Sequence, residues 1–145
     1  ALAPFDRGDN EGPFAVQHAL QDVMQDLVGI VRREEEMTRA LGEIDALRDR
    51  AQHCAVLGNR EYNPGWHTAV DLRNLLIVSE AVARAALERK ESRGAHFRDD
   101  YPDKDADWGK RNLTIRRGTD GDMRIERTPT PELPAELSSI IEEMK

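Results

Sequence analysis

Thiols are nearly absent from this 145-residue chain. Cys54 is the one cysteine, which excludes an internal disulfide and any multi-thiolate metal site and fits a reducing compartment. Aromatic residues are few and an excess of cations is missing. The formal net charge of -7 argues against a nucleic-acid binder, which would carry a basic face. No apolar run approaches the roughly 18 residues needed to span a bilayer, and no signal peptide opens the sequence.

Several chemical signatures are missing as well. There is no G-x-G-x-x-G turn to bring backbone N–H groups against a dinucleotide pyrophosphate, and no G-x-x-x-x-G-K-[ST] phosphate loop. No serine sits in a G-x-S-x-G setting. His18, His53, His67 and His96 form no H-x-x-x-H pair and have no partnered cysteines, so no metal site is expected. No catalytic, cofactor-binding or metal-binding residue is assigned within the chain.

What is present is helical periodicity. The length fits one domain that buries roughly 70% of its unfolded surface. Residues 1–12 read as a loop punctuated by Pro4, Gly8, Asp9, Asn10 and Gly12. They are taken as a linker from a preceding domain, with an ordinary processed terminus as the alternative. A first helix is predicted over 13–28, with Pro13 in its first turn and Val16, Leu20, Val23, Leu27 and Ile30 or Val31 forming an apolar stripe. Gly29 weakens its end.

A second helix is predicted over 33–56. Met37, Leu41, Ile44, Leu47 or Arg48, Ala51 and Cys54 or Ala55 fall near a seven-residue repeat, the mark of a bundle seam. Cys54 then reads as a small core residue, and the Glu and Arg side chains between as a solvated face. Gly58, Asn59, Asn63, Pro64 and Gly65 end this helix. The third, over 66–90, is apolar around most of its circumference, from Val70 to Leu87. Either it is the central element of a bundle, or one face meets a further domain.

After Lys90 the composition changes. Residues 113–117 and 123–127 alternate apolar and polar around 118–122, predicting a β-hairpin. Pro129, Pro131 and Pro134 predict an extended connection, and 136–145 a short last helix with Leu137, Ile140, Ile141 and Met144 on one side. The fold class is mainly α: a spectrin-repeat-like, up-down three-helix bundle over 13–92, then an irregular extension over 93–145.

One stretch is dense in chemistry. Glu91–Ser92–Arg93–Gly94–Ala95–His96–Phe97–Arg98–Asp99–Asp100–Tyr101–Pro102 places two guanidinium groups, an imidazole and three carboxylates just past a helix end. Gly94 can take φ > 0 and turn the chain, while Arg93 and Arg98 each present a planar fork. The residues alone leave three readings open: a local ion-pair network, a surface that docks on another domain, or a catalytic role.

This stretch resembles the E-S-R-G-x-H-x-R-x-D-x-P motif of the C-terminal domain of succinate dehydrogenase and fumarate reductase flavoproteins, with L-aspartate oxidase a close relative. The resemblance extends to residues 2–5 and 13–16, to Val28–Arg32 followed by Glu34 and Glu35, to Asp71–Leu75, and to Trp108–Leu113. It covers nearly the whole chain, and only the tail from about Thr128 departs.

The resemblance implies a three-helix domain packed against an FAD-binding domain and a capping domain. In the intact subunit FAD and substrate residues upstream interconvert succinate and fumarate. Electrons pass to an iron–sulfur subunit and on to quinone at a membrane anchor. It also implies a peripheral location on the cytoplasmic face of the membrane, and an isolated chain that binds no cofactor and is inactive. Arg93, His96, Arg98 and Asp100 are the expected docking residues. The alternatives are the same domain of L-aspartate oxidase, or a free-standing helical interaction module.

Overall fold

A computed structural model describes residues 2–8 and 10–144. Ala1 and Asp9 of the expected linker, and Lys145 at the end of the expected last helix, lie outside the described residues. The chain divides into two compact units, Ala1–Asp105 and Ala106–Lys145.

The first unit is built on α1 (Pro13–Leu27), the short strand β1 (Val31–Arg32), α2 (Glu34–His53), α3 (Pro64–Glu88) and the short strand β2 (Phe97–Arg98). Each of the three helices packs on the other two. Val16, Leu20 and Leu27 of α1 meet Ala40, Ile44 and Leu47 of α2 and Leu72, Leu76 and Ala83 of α3 in one core. Fully burying one such aliphatic side chain contributes roughly 1.5–3 kcal/mol, so this core is the main source of stability in the unit.

The expected seam of α2 is displaced in one place. Ala40, not Leu41, is fully buried; Leu41 packs at the margin of the core. Arg48 leaves the seam and reaches across to Glu80 of α3, at 2.5 Å. That pairing belongs to the face expected to be solvated, and it ties α2 to α3 with the Arg48 side chain still partly exposed.

Two helix ends also differ from expectation. α3 begins at Pro64, because proline is well suited to a first helical position. Asn63 caps it, its side-chain oxygen accepting the N–H of Trp66 at 3.1 Å. α2 stops at His53, since residues 54–56 are extended and tied to the N-terminal segment. Ala55 N–H donates to Glu11 O at 3.0 Å and Val56 N–H to Pro4 O at 2.9 Å. Ala3–Asp6 accordingly forms a 3-10 turn, with the Phe5 ring 6.3 Å from that of Trp66. Arg7 donates to Cys54 O at 3.0 Å, and Glu11 pairs with Arg50. Cys54 is fully buried, and burial pushes its thiol pKa up.

The second unit holds the antiparallel ribbon β3 (Arg111–Arg117) and β4 (Met123–Pro129), then α4 (Ala135–Glu143). Gly118 N–H closes the connecting loop on Asp122 O at 2.7 Å. The ribbon is longer than the alternation alone marks out, because the Arg111↔Pro129 and Asn112↔Thr128 pairs continue the ladder through polar residues. Among the described residues, no helix is long and apolar enough to cross a membrane.

Candidate docking cluster

Three chain ends converge at one end of the bundle: the C-terminus of α3, the N-terminus of α2 and the strand pair β1–β2. Helix ends leave backbone groups without partners, and buried ones must find substitutes. Here one side chain serves both helices. Arg98 is fully buried, and its Nη1 donates to Ala86 O and Leu87 O at 3.0 Å each, carbonyls in the last turn of α3. A cation at this position also complements the negative end of the helix dipole.

The other edge of the Arg98 fork grips Asp100 in two bonds of 2.7 Å. Asp100 in turn accepts the backbone N–H of Glu34 at 3.0 Å, capping α2. The Arg98 guanidinium, followed by burial acting the other way and the Glu34 N–H, sets the Asp100 carboxyl at a pKa of about 2. The Tyr101 ring covers the guanidinium at 4.9 Å. One arginine and one aspartate thus tie the end of α3 to the start of α2.

Glu91 organises the neighbouring layer. Its carboxylate is buried and takes Arg93 Nε at 2.9 Å, Arg93 Nη2 at 3.0 Å, Arg89 Nε at 3.0 Å and the Asp105 N–H at 2.9 Å. Those bonds, led by Arg93, hold its pKa down to about 2 against the opposing effect of burial. Ser92 hydroxyl accepts the Arg98 N–H at 2.8 Å and can donate to Tyr101 O at 2.9 Å. Gly94 turns the chain at φ +60°, a conformation that disfavours any side chain, and Arg93 and His96 pair across that turn.

His96 has its protonation state fixed by its partners. Arg32 has only N–H groups to offer, so the Nδ1 it meets at 2.8 Å must accept. Nε2 therefore carries the hydrogen and donates to Arg89 O at 3.0 Å. Burial first, and then the charges of Arg32, Arg98 and Arg89, press the imidazole pKa below its usual value, although the Arg89 carbonyl acts in the opposite sense. The imidazole is neutral in this setting.

All four expected residues, Arg93, His96, Arg98 and Asp100, are therefore brought together. Arg98 is sealed inside the chain with its fork turned toward α3 and Asp100. Arg93 and Asp100 are the more accessible members, with 38% and 29% of their side chains accessible. Sequence reasoning missed Arg32 and Glu34, which complete the cluster from the α1–α2 junction. It also missed the parallel pairing Val31↔Phe97 and Arg32↔Arg98. Two-residue strands leave no periodicity to find, so the only signal was the resemblance at that junction.

Exposed apolar side chains lie at the β1–β2 pair and along α3. Ile30 is 81% exposed and Val31 55%, with Phe97 beside Val31 in the strand pair. On α3, Leu75, Val78 and Val82 recur at helical spacing and all remain exposed, Val78 at 60%. Among the described residues, no group of three or more His, Cys, Asp or Glu is placed to hold a metal ion.

A family profile described as the fumarate reductase flavoprotein C-terminus matches residues 17–138. The chain belongs to that family. Its relatives include the succinate dehydrogenase flavoprotein subunit of Coxiella burnetii, 34% identical over 110 residues, covering 74% of this chain and 19% of that protein. L-aspartate oxidase of Streptomyces coelicolor is 30% identical over 122 residues, covering 84% of the chain and 21% of that protein. Among solved structures, Mycobacterium smegmatis Sdh1 in complex with UQ1 superposes with a TM-score of 0.89 at 42% identity. That match covers 97% of this chain and 24% of the other. The chain thus spans about a fifth of the length of these curated relatives. The relatives named as succinate dehydrogenase, fumarate reductase and L-aspartate oxidase are oxidoreductases, so the chain is a domain of a flavin oxidoreductase family.

Proposed function

We propose that this chain is the bracing domain of a succinate dehydrogenase or fumarate reductase flavoprotein subunit, seated against the FAD-carrying body and taking no part in the chemistry itself. The observation that supports this most is the division of labour around the cluster. Its charged groups turn inward on helix ends and on one another, while Ile30, Val31, Phe97 and the Leu75–Val78–Val82 strip of α3 stand exposed. Large apolar side chains left exposed at helical spacing suit a face that another domain covers. In this reading Arg98, Asp100 and His96 hold the docking face in shape, and Arg93 and the apolar strip meet the neighbouring domain.

FAD and the substrate-binding residues belong to the body, and the isolated chain is colourless and inactive. The intact subunit interconverts succinate and fumarate and passes electrons through an iron–sulfur subunit to quinone, from a peripheral position on the cytoplasmic face of the membrane. The 42% identity to Sdh1 favours succinate dehydrogenase within the family. The likeness to L-aspartate oxidase supports a second reading, in which the body oxidises L-aspartate.

The test is substitution of Arg98 by Ala in the full-length subunit, with flavin content and succinate oxidation measured. Loss of both is expected. Retained flavin with undiminished turnover contradicts the bracing role, and turnover of L-aspartate in place of succinate selects the second reading.

A further inference from the structure

The second unit carries an apolar ribbon face that is half-buried, with Arg127 stacked on the Trp108 ring at 4.6 Å, and an exposed apolar helix face of opposite charge. Strand alternation places Leu113 and Ile115 on one face of the ribbon, opposite Arg127 and Ile125, with Arg111 and Arg117 at its two ends. Ile115 is 36% exposed, and Arg111 and Arg117 are exposed. Residues 110–128 carry six cations and three carboxylates, so the ribbon is basic in a chain whose net charge is -7. Helix α4 is its complement. Leu137, Ile140, Ile141 and Met144 share one face at 47% exposure or more, and no residue of α4 is buried. Residues 131–144 carry four glutamates and no lysine or arginine.

A nine-residue helix without a side-chain cap is too short to persist alone in water. It requires a seat. Its charge disfavours an anionic lipid surface and suits an apolar strip bounded by arginines. Its own ribbon does not serve as that seat. Ribbon pairing continues to Thr130, whose N–H donates to Lys110 O at 2.9 Å, and residues 131–134 then lead into α4 with its apolar side chains left at 47% exposure or more.

We propose that two copies of this chain associate symmetrically, α4 of each lying on the arginine-bounded face of the other's β3–β4 ribbon. Reciprocal seating is an isologous contact that closes at two copies and doubles the area buried. The association is independent of the bracing role, since it uses only the second unit.

Sedimentation equilibrium of the full 145-residue chain, at low and high salt, provides the test. A dimer that dissociates as salt rises is expected. Leu137→Glu with Ile141→Glu makes the chain monomeric, whereas Val78→Glu on the first unit leaves the dimer intact. Charge reversal separates exchange from other arrangements. A ribbon variant, Arg111→Glu with Arg117→Glu, and a helix variant, Glu136→Arg with Glu143→Arg, are each monomeric alone. Mixed, they restore a heterodimer, because each helix then faces a ribbon of opposite charge. A monomer at every concentration overturns the proposal. So does a dimer indifferent to the α4 substitutions, or a mixture that remains monomeric.

Discussion

Arg98 shows how a buried charge is made tolerable. Taking a guanidinium out of water costs several kcal/mol unless its hydrogen bonds are replaced, and here helix carbonyls and the Asp100 carboxylate replace them. Truncation reverses the balance, leaving Asp100 and the end of α3 without their partner. Arg98→Ala is expected to lower the stability of the isolated chain by about 3 kcal/mol or more, measured by urea unfolding. Arg98→Lys is expected to recover only part of this, since an ammonium cannot span both edges of the fork.

The ionisable groups of the cluster set a pH dependence with two parts. Asp100 and Glu91 have pKa values near 2 in the fold, below their ordinary 3.8 and 4.5. The unfolded chain binds their protons first, so their contribution is present above about pH 4.5 and is lost as pH falls toward 2. His96 is also depressed in the fold, so the unfolded chain again takes up the proton more readily. Its contribution begins to be lost below about pH 6.5. Urea midpoints measured against pH are expected to fall in these two stages on acidification. Replacing His96 by Gln should flatten the upper stage and leave the lower one.

At the scale of elements, Asn63 fixes where α3 begins. Its side-chain oxygen caps the helix, while its amide donates to Leu57 O at 3.0 Å and Asn59 O at 2.8 Å. Asn63→Ala is expected to cost about 1 kcal/mol in thermal or urea unfolding, the usual loss for a cap, with the bundle retained by circular dichroism. Much of this architecture was legible in the sequence. The stripes of α1 and α2, the ribbon and the last helix all follow from repeating apolar positions. What was not legible depends on contacts distant in sequence. The stop of α2 at His53 arises from Pro4 and Glu11, and the pairing of Val31 with Phe97 joins residues distant in sequence through a two-residue strand too short to have a period. The cluster residues were visible as a motif, but the inward turn of Arg98 was not. Composition shows that an arginine is present, whereas only the fold shows that two helix ends need it.

For the whole molecule, the central claim is that the first unit is shaped to lie against a larger body. Val78 is the most direct probe, being 60% exposed on α3 and outside the core cluster. A charge placed there disturbs little in the isolated chain and much in an apolar interface. The decisive measurement is therefore paired: the unfolding midpoint of the isolated chain with Val78→Glu, and the flavin content and turnover of the full-length subunit carrying the same substitution. The account expects an unchanged midpoint with flavin and turnover lost. Full flavin content and normal turnover would show that this face meets nothing, and would contradict it.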